Sequence, residues 1–328
     1  MVTCWVVTDG KAGMESQCLG LAEALGLEPV VKRVALRRLW RAVTPYMRLG
    51  GRAQFAEYGD SLTPPWPDLL IASGRQSVAA ALWVKKRSGG RTIAVQVQNP
   101  GIAQRRFDLI IAPEHDRLTG QNVVSTRGAL HRVTPATLSH SAALWSLRFS
   151  NLPRPYIAVL MGGSNPVYRF GNEEAVRLAA RLKTCTRHIG GSLLITPSRR
   201  TGEEAIAALT AGIRGVPYFV WDMQGDNPYF ALLALADYIV VTCDSVNMIS
   251  EAASTGKPVY VEMLPGGSDK SSRFLDRLRE DGIIRNFSGD LASYNYPPLD
   301  DMTRVVERIR TLIGARKLPD ADSVPTIS

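Results

Sequence analysis

Short continuous apolar runs alternate with stretches of helical periodicity along the chain. In the first half the runs predict strands at 3–8, 28–35, 68–72, 92–97, 109–112 and 122–125, with helices over 14–25, 36–47 and 76–87 between them. The pattern restarts with strands at 155–161, 192–196, 217–221, 238–241 and 258–263, and helices over 173–188, 202–211, 245–254 and 269–280. Such alternation predicts parallel sheets whose strands are buried on both faces by crossover helices. The expected fold class is therefore α/β, with two Rossmann-like domains. The polar, Pro-containing stretch 150–155 is the expected boundary, giving domains of 1–150 and 151–318. A last helix over 302–313 is expected to dock on the first domain, and 319–328 reads as a flexible tail.

Composition refines this picture. The chain has 328 residues, 45% hydrophobic and 21% charged, which suits folded domains and excludes a disordered chain. No run reaches the roughly 18 to 20 apolar residues of a membrane span. The first residues lead directly into a strand without a basic leader, so no signal peptide is expected and a cytoplasmic location follows. The four cysteines, at 4, 18, 185 and 243, lack the spacing of a zinc site or disulfide framework, and no metal is expected. Net charge is +9, and residues 1–150 hold all of the excess, with 19 Lys and Arg against 10 Asp and Glu. An anionic partner is thus expected to meet the first domain. Nucleic acid is disfavoured, because the basic excess has no interleaved aromatics and no reading helix.

Ligands of open parallel sheets bind beyond the carboxyl ends of the strands, so those loops carry the candidate chemistry. The segment from Cys243 to Glu262 reads as strand end, polar turn, short helix and strand. It puts Asp244, Ser245 and Asn247 at a helix N-terminus, where free N–H groups and the helix dipole favour an anion. Glu251 follows one turn later, where a carboxylate could accept ribose hydroxyls. Gly162, Gly163 and Ser164 form a second strand-end turn, compatible with a phosphate or with a turn that needs glycine φ angles. Ser198 and Arg199, with Arg200, form a third that could fork a diphosphate, although only one of the adjacent arginines can easily face inward. Asn227 and Tyr229 open a helix, with Tyr229 placed to stack on a base or to pack. Together these loops point to a nucleotide.

The first half offers 8–13, Thr-Asp-Gly-Lys-Ala-Gly, which is neither a complete Walker loop nor a dinucleotide fingerprint. Asp9, Glu15 and the Glu114-His115-Asp116 cluster are candidates for a general base, with Asp9 and His115 preferred. Leu36, Leu39, Trp40 and Val43 share one helical face flanked by Arg37, Arg38 and Arg41. That stripe suits either the domain's own core or an anionic membrane surface.

Two resemblances follow from these motifs. The opening 5–17, the Ala112-Pro113-Glu114-His115-Asp116 loop and the segment 243–252 together resemble the mitochondrial fission (elongated-mitochondria) family. Two Rossmann-like halves, with Ser250-Glu251 before Thr255-Gly256-Lys257-Pro258, resemble GT-B glycosyltransferases of the peptidoglycan N-acetylglucosaminyltransferase kind. The second resemblance implies an interdomain cleft and a nucleotide-sugar, a UDP-sugar in that family, held by the second domain. It implies Glu251 on the ribose and Val246, Asn247 and Met248 along the diphosphate. It also implies a histidine base in the first-domain glycine loop, which 8–13 lacks. The activity expected is metal-independent transfer of a sugar to a membrane-associated, lipid-linked or envelope acceptor, with the nucleotide-sugar as donor substrate and no cofactor. The alternatives are a non-catalytic, membrane-associated interaction protein acting in fission or division, and a nucleotide-sugar epimerase. Either membrane role adds peripheral attachment at the inner face of the membrane.

Overall fold

The computed structural model describes residues 2–37, 55–56, 59–101 and 103–317. The basic stripe beyond Arg37, including Arg38 and Arg41, and the tail 319–328 lie outside them. Two compact units divide the chain: residues 1–126, 130–132 and 300–328 form the first, and 127–129 with 133–299 the second.

The first unit is built on β1 (Cys4–Thr8), β2 (Val30–Arg33), β3 (Leu69–Ser73), β4 (Ile93–Val97), β5 (Leu109–Pro113) and β6 (Val123–Thr126), all parallel, in the order β2-β1-β3-β4-β5-β6. The inner strands β1, β3, β4 and β5 are buried because both faces are covered, with alternate residues serving different layers. Edge strand β2 instead carries Lys32 and Arg33 and is exposed or half-buried along its length. Cys4, Val6, Leu69, Ile71 and Val95 pack with Leu21 of α1 (Ala12–Ala24) and with Val305, Val306 and Ile309 of α9 (Met302–Lys317). Trp5, Val7, Leu70, Ala72 and Ala94 instead meet Val78, Ala81 and Val84 of α2 (Arg75–Arg87). The chain's last helix is thus part of the first unit's core. Arg316 fastens its end, donating to the carbonyls of Gly90 and Arg91 at 3.0 and 2.8 Å and pairing with Asp108 at 2.7 Å. Because this guanidinium is partly exposed, Arg316→Ala is expected to lower the first unit's stability by only about 1 kcal/mol. Denaturant unfolding checks this, and an unchanged first-unit midpoint would refute the fastening.

The second unit contains α3 (Pro135–Phe149), β7 (Tyr156–Met161), α4 (Asn172–Ile189), β8 (Ser192–Pro197), α5 (Glu203–Gly212), β9 (Tyr218–Val220), α6 (Tyr229–Leu235) and β10 (Tyr238–Thr242). It continues through α7 (Val246–Ala253), β11 (Val259–Glu262), α8 (Asp269–Glu280) and β12 (Ile284–Asn286). The sheet is parallel, in the order β12-β11-β10-β7-β8-β9. This corrects the expected boundary near 150: α3 belongs to the second unit. Trp145 and Phe149, four residues apart on one helix face, pack on Phe219 of β9 with ring centroids 6.1 and 5.1 Å away. The Tyr156 hydroxyl donates to the Phe149 carbonyl at 2.9 Å, tying α3 to the strand that follows it.

Candidate functional site

Read from β9, the second sheet runs in the doubly wound order, and its direction of winding reverses between β7 and β10. That reversal opens a crevice at the strands' carboxyl ends, where ligands of such sheets bind. The loops after β7, β8 and β10 are tied together there. Gly162 N–H donates to Thr242 Oγ1 at 2.8 Å, and Gly163 N–H to Asp244 Oδ2 at 3.0 Å. Arg200 Nη2 reaches the same carboxylate oxygen at 2.9 Å, while Thr242 Oγ1 donates to Asp244 Oδ1 at 2.6 Å. Asn165 Nδ2 donates to the Asp244 carbonyl at 3.3 Å.

Asp244 is therefore the clasp of three loops. Its side chain has no exposed surface, and its donors come from the protein. A ligand-contacting role for this carboxylate, expected from its place at a helix mouth, gives way to a positioning one. Gly162 and Gly163 have a related reason, which is not φ. Neither is left-handed, but a Cβ on Gly162 would lie 2.1 Å from Asp244 Oδ1, and one on Gly163 would lie 2.0 Å from the Arg200 carbonyl oxygen. Close approach of the loops excludes any side chain at either position.

Several other expected ligand groups also hold the loops. Ser164 Oγ donates to the Phe170 carbonyl at 3.0 Å and accepts its N–H at 2.9 Å. Ser198 Oγ donates to the Gly162 carbonyl at 2.7 Å. Ser245 caps α7 by accepting Met248 N–H at 3.3 Å, and Asn227 Oδ1 accepts Tyr229 N–H at 3.0 Å. Of the two arginines, Arg200 turns inward and Arg199 remains exposed without an ion pair to a described residue. Asn247 and Met248 occupy the first turn of α7, half-buried.

Glu251 keeps the most distinctive place. It lies on the second turn of α7, only 9% exposed, and accepts the Tyr229 hydroxyl on Oε2 at 2.5 Å. Burial pushes its carboxyl up to about 7, a rise that the tyrosine's hydrogen bond opposes. Burial likewise holds the Tyr229 hydroxyl well above its ordinary value. Tyr229, expected to stack or pack, is thus the positioning partner of Glu251. Gly128 and Ala129 brace the same helix: Ala129 N–H donates to Ser250 Oγ at 2.9 Å, and a Cβ on Gly128 would meet that oxygen at 2.7 Å. No sequence signal pointed to these two residues. Lys257 in the Gly-Lys-Pro motif caps the end of α6, donating to the carbonyls of Leu233, at 2.8 Å, and Ala234. Burial lowers its ammonium to about 8.

In the first unit the winding reverses between β1 and β3, and Asp9 lies beyond the end of β1. Its side chain is 3% exposed and pairs with Lys11 at 2.9 Å. Glu15 is engaged by both arms of Arg33, at 2.9 and 2.8 Å, which holds its carboxyl below the ordinary value. His115 is buried after β5, its Nε2 3.9 Å from Asp116 Oδ1. Because β3 and β4 separate β1 from β5, the loops of Asp9 and His115 stand about 14 Å apart at ordinary strand spacing. They do not form one dyad. The four cysteines are buried and unpaired by disulfides, and no described helix is long and apolar enough to cross a membrane.

A family model described as Mitochondrial fission ELM1 matches residues 12–313. The Mitochondrial fission protein ELM1 of Arabidopsis thaliana is 30% identical, covering 95% of this chain and 91% of the relative. Among solved structures, the UDP-N-acetylglucosamine 2-epimerase of Rickettsia bellii aligns with a TM-score of 0.52 at 11% identity, covering 96% of this chain and 97% of that one. MurG of Acinetobacter baumannii aligns with a TM-score of 0.50 at 14% identity, covering 95% and 91%. At these identities the likeness is one of fold, and it agrees with the expected GT-B class of two Rossmann-like sheets.

Proposed function

We infer that this chain, which belongs to the Mitochondrial fission ELM1 family, binds a nucleoside-diphosphate sugar at the carboxyl end of its second sheet and transfers the sugar to a hydroxyl acceptor. One observation carries the reading. Three strand-end loops are clasped on Asp244 at the point where the sheet's winding reverses, with the uncharged first turn of α7 and the buried Glu251 beside them. Helix-end N–H groups and Arg199 suit a diphosphate, and a carboxylate with one oxygen already held by Tyr229 offers the other to a ribose hydroxyl. The fold it shares with UDP-N-acetylglucosamine 2-epimerase is consistent with a UDP-sugar.

In the transfer, an acceptor oxygen bonds to the anomeric carbon as the bond to the diphosphate breaks. The hydroxyl proton passes to a base, and the diphosphate leaves with its charge met by helix N–H groups. Asp9 and His115 are the candidate bases, and the three strand spacings between their loops favour one of them acting alone over a pair. The acceptor class proposed is membrane-associated or envelope material.

Calorimetric titration with UDP, UDP-sugars, GDP and CMP tests the binding step. Saturable binding to at least one is expected, and no heat at millimolar ligand would remove the reading. NMR of the products then separates transferred sugar from epimerised sugar, the alternative chemistry on this fold.

A further inference from the structure

The nucleotide reading leaves the charge of the first unit unused. At the pole where the strands begin, cations gather from four segments: Lys85, Lys86 and Arg87 on the last turn of α2, Arg91 before β4, Arg105 and Arg106 before β5, and Arg316 on α9. Contacts join them into one patch. Lys85 Nζ donates to the Arg106 carbonyl at 3.0 Å and pairs with Asp108 at 2.8 Å. Arg316 donates to the Arg91 carbonyl at 2.8 Å and pairs with the same aspartate at 2.7 Å. The other five cations are exposed and form no ion pair with a described residue. Seven positive groups thus lie at this pole, two of them paired with Asp108, against that carboxylate and Asp68 just before β3. The negative end of the α2 dipole accounts for cations on its last turn. It does not account for Arg91, which lies just before β4, or for Arg105 and Arg106, which lie in a short 3-10 helix.

We propose that this pole docks the protein on an anionic lipid surface. Among the described residues the patch consists of the ends of α2 and α9, the turn before β4 and a short 3-10 helix, with no exposed aromatic side chain to stack a base. Diffuse charge of this kind matches mobile anionic headgroups, which gather beneath it, better than it matches nucleic acid. Because α2 starts at the carboxyl end of β3 and finishes at the amino end of β4, the patch lies opposite the end that carries Asp9. Docking would leave the strand-end loops of this unit uncovered. The proposal moves membrane contact away from Arg37, Arg38 and Arg41, and it does not depend on nucleotide binding.

Vesicle co-sedimentation of the full chain tests it, using phosphatidylcholine alone and with about 30 mol % phosphatidylserine. Binding is expected only to the anionic vesicles and is expected to fade in high salt. Each basic side chain near such a surface multiplies partitioning by about five, so the double variant R105E/R106E should bind twentyfold or more weakly, roughly. A control of equal charge change on exposed arginines of the second unit, R187E/R214E, should bind much as the wild type does. R105Q/R106Q provides a milder patch variant, and circular dichroism verifies that each protein is folded. Equal loss in patch and control variants would overturn the proposal, as would equal binding to both vesicle types. So would a duplex oligonucleotide that displaces the protein from anionic vesicles at low concentration.

Discussion

Asp244→Ala is expected to destabilise the second unit by about 2 to 4 kcal/mol, through lost charged hydrogen bonds and an orphaned buried N–H, and to abolish nucleotide binding. The wild-type carboxylate is fully buried and takes hydrogen bonds from Gly163 N–H, Thr242 and Arg200. Alanine would leave the buried Gly163 N–H without its acceptor and the Arg200 guanidinium with only the Gly163 carbonyl, at 3.4 Å, beside a space where a Cβ on Gly162 could not previously fit. Arg200→Ala should cost less, about 1 kcal/mol, since that guanidinium is 43% exposed and the carboxylate keeps two donors. The ranking separates a clasp from a ligand contact. A residue that touched only the ligand would leave unfolding unchanged when replaced, so wild-type denaturation of Asp244→Ala would return Asp244 to the ligand side.

This clasp also shows what a sequence can and cannot carry. Most of the strand and helix order was legible because the central strands are continuous apolar runs, the mark of burial on both faces, whereas the pattern gives no extent for α3 or α6. The three-residue β12 was missed because it is too short for either signal. The segment of α3 is not assigned to either domain by its pattern, and the expected boundary fell after it instead of before it. At the site, the strand-end loops come together as expected, but several of their side chains turn to one another instead of outward. Asp244 sits at a helix mouth, as read, but its partners Gly163 and Arg200 come from loops 81 and 44 residues away. Local pattern holds no information on which way such groups turn. The same holds for Tyr229 and Glu251, 22 residues apart and joined only by the fold.

Glu251 gives the second large effect, which depends on pH. Its folded-state carboxyl is raised from 4.5 to about 7, so the folded protein binds this proton more tightly than the unfolded chain does. Stability from this group is therefore highest below about pH 4.5, falls as the pH rises from there to about 7, and is constant above. The total fall is roughly 3 kcal/mol. Glu251→Gln removes the titration while keeping an acceptor for the Tyr229 hydroxyl. Relative to wild type it should gain roughly that amount between pH 4.5 and 7.5, measured by denaturant unfolding across the range. Parallel pH profiles would contradict the buried assignment. Nucleotide binding should move the opposite way. A ribose hydroxyl donates best to the ionised carboxylate, so wild-type affinity for UDP is expected to rise as the pH passes through about 7, with a proton released on binding. Above that pH, Glu251→Gln should bind about 10- to 100-fold more weakly, the cost of losing a charged hydrogen bond. Tyr229→Phe separates the two functions of the pair. Without the hydroxyl that favours ionisation, Glu251 should titrate higher, and the rise in UDP affinity should shift to higher pH while the affinity at its plateau changes little. An affinity profile that ignored both substitutions would show that the nucleotide does not meet Glu251.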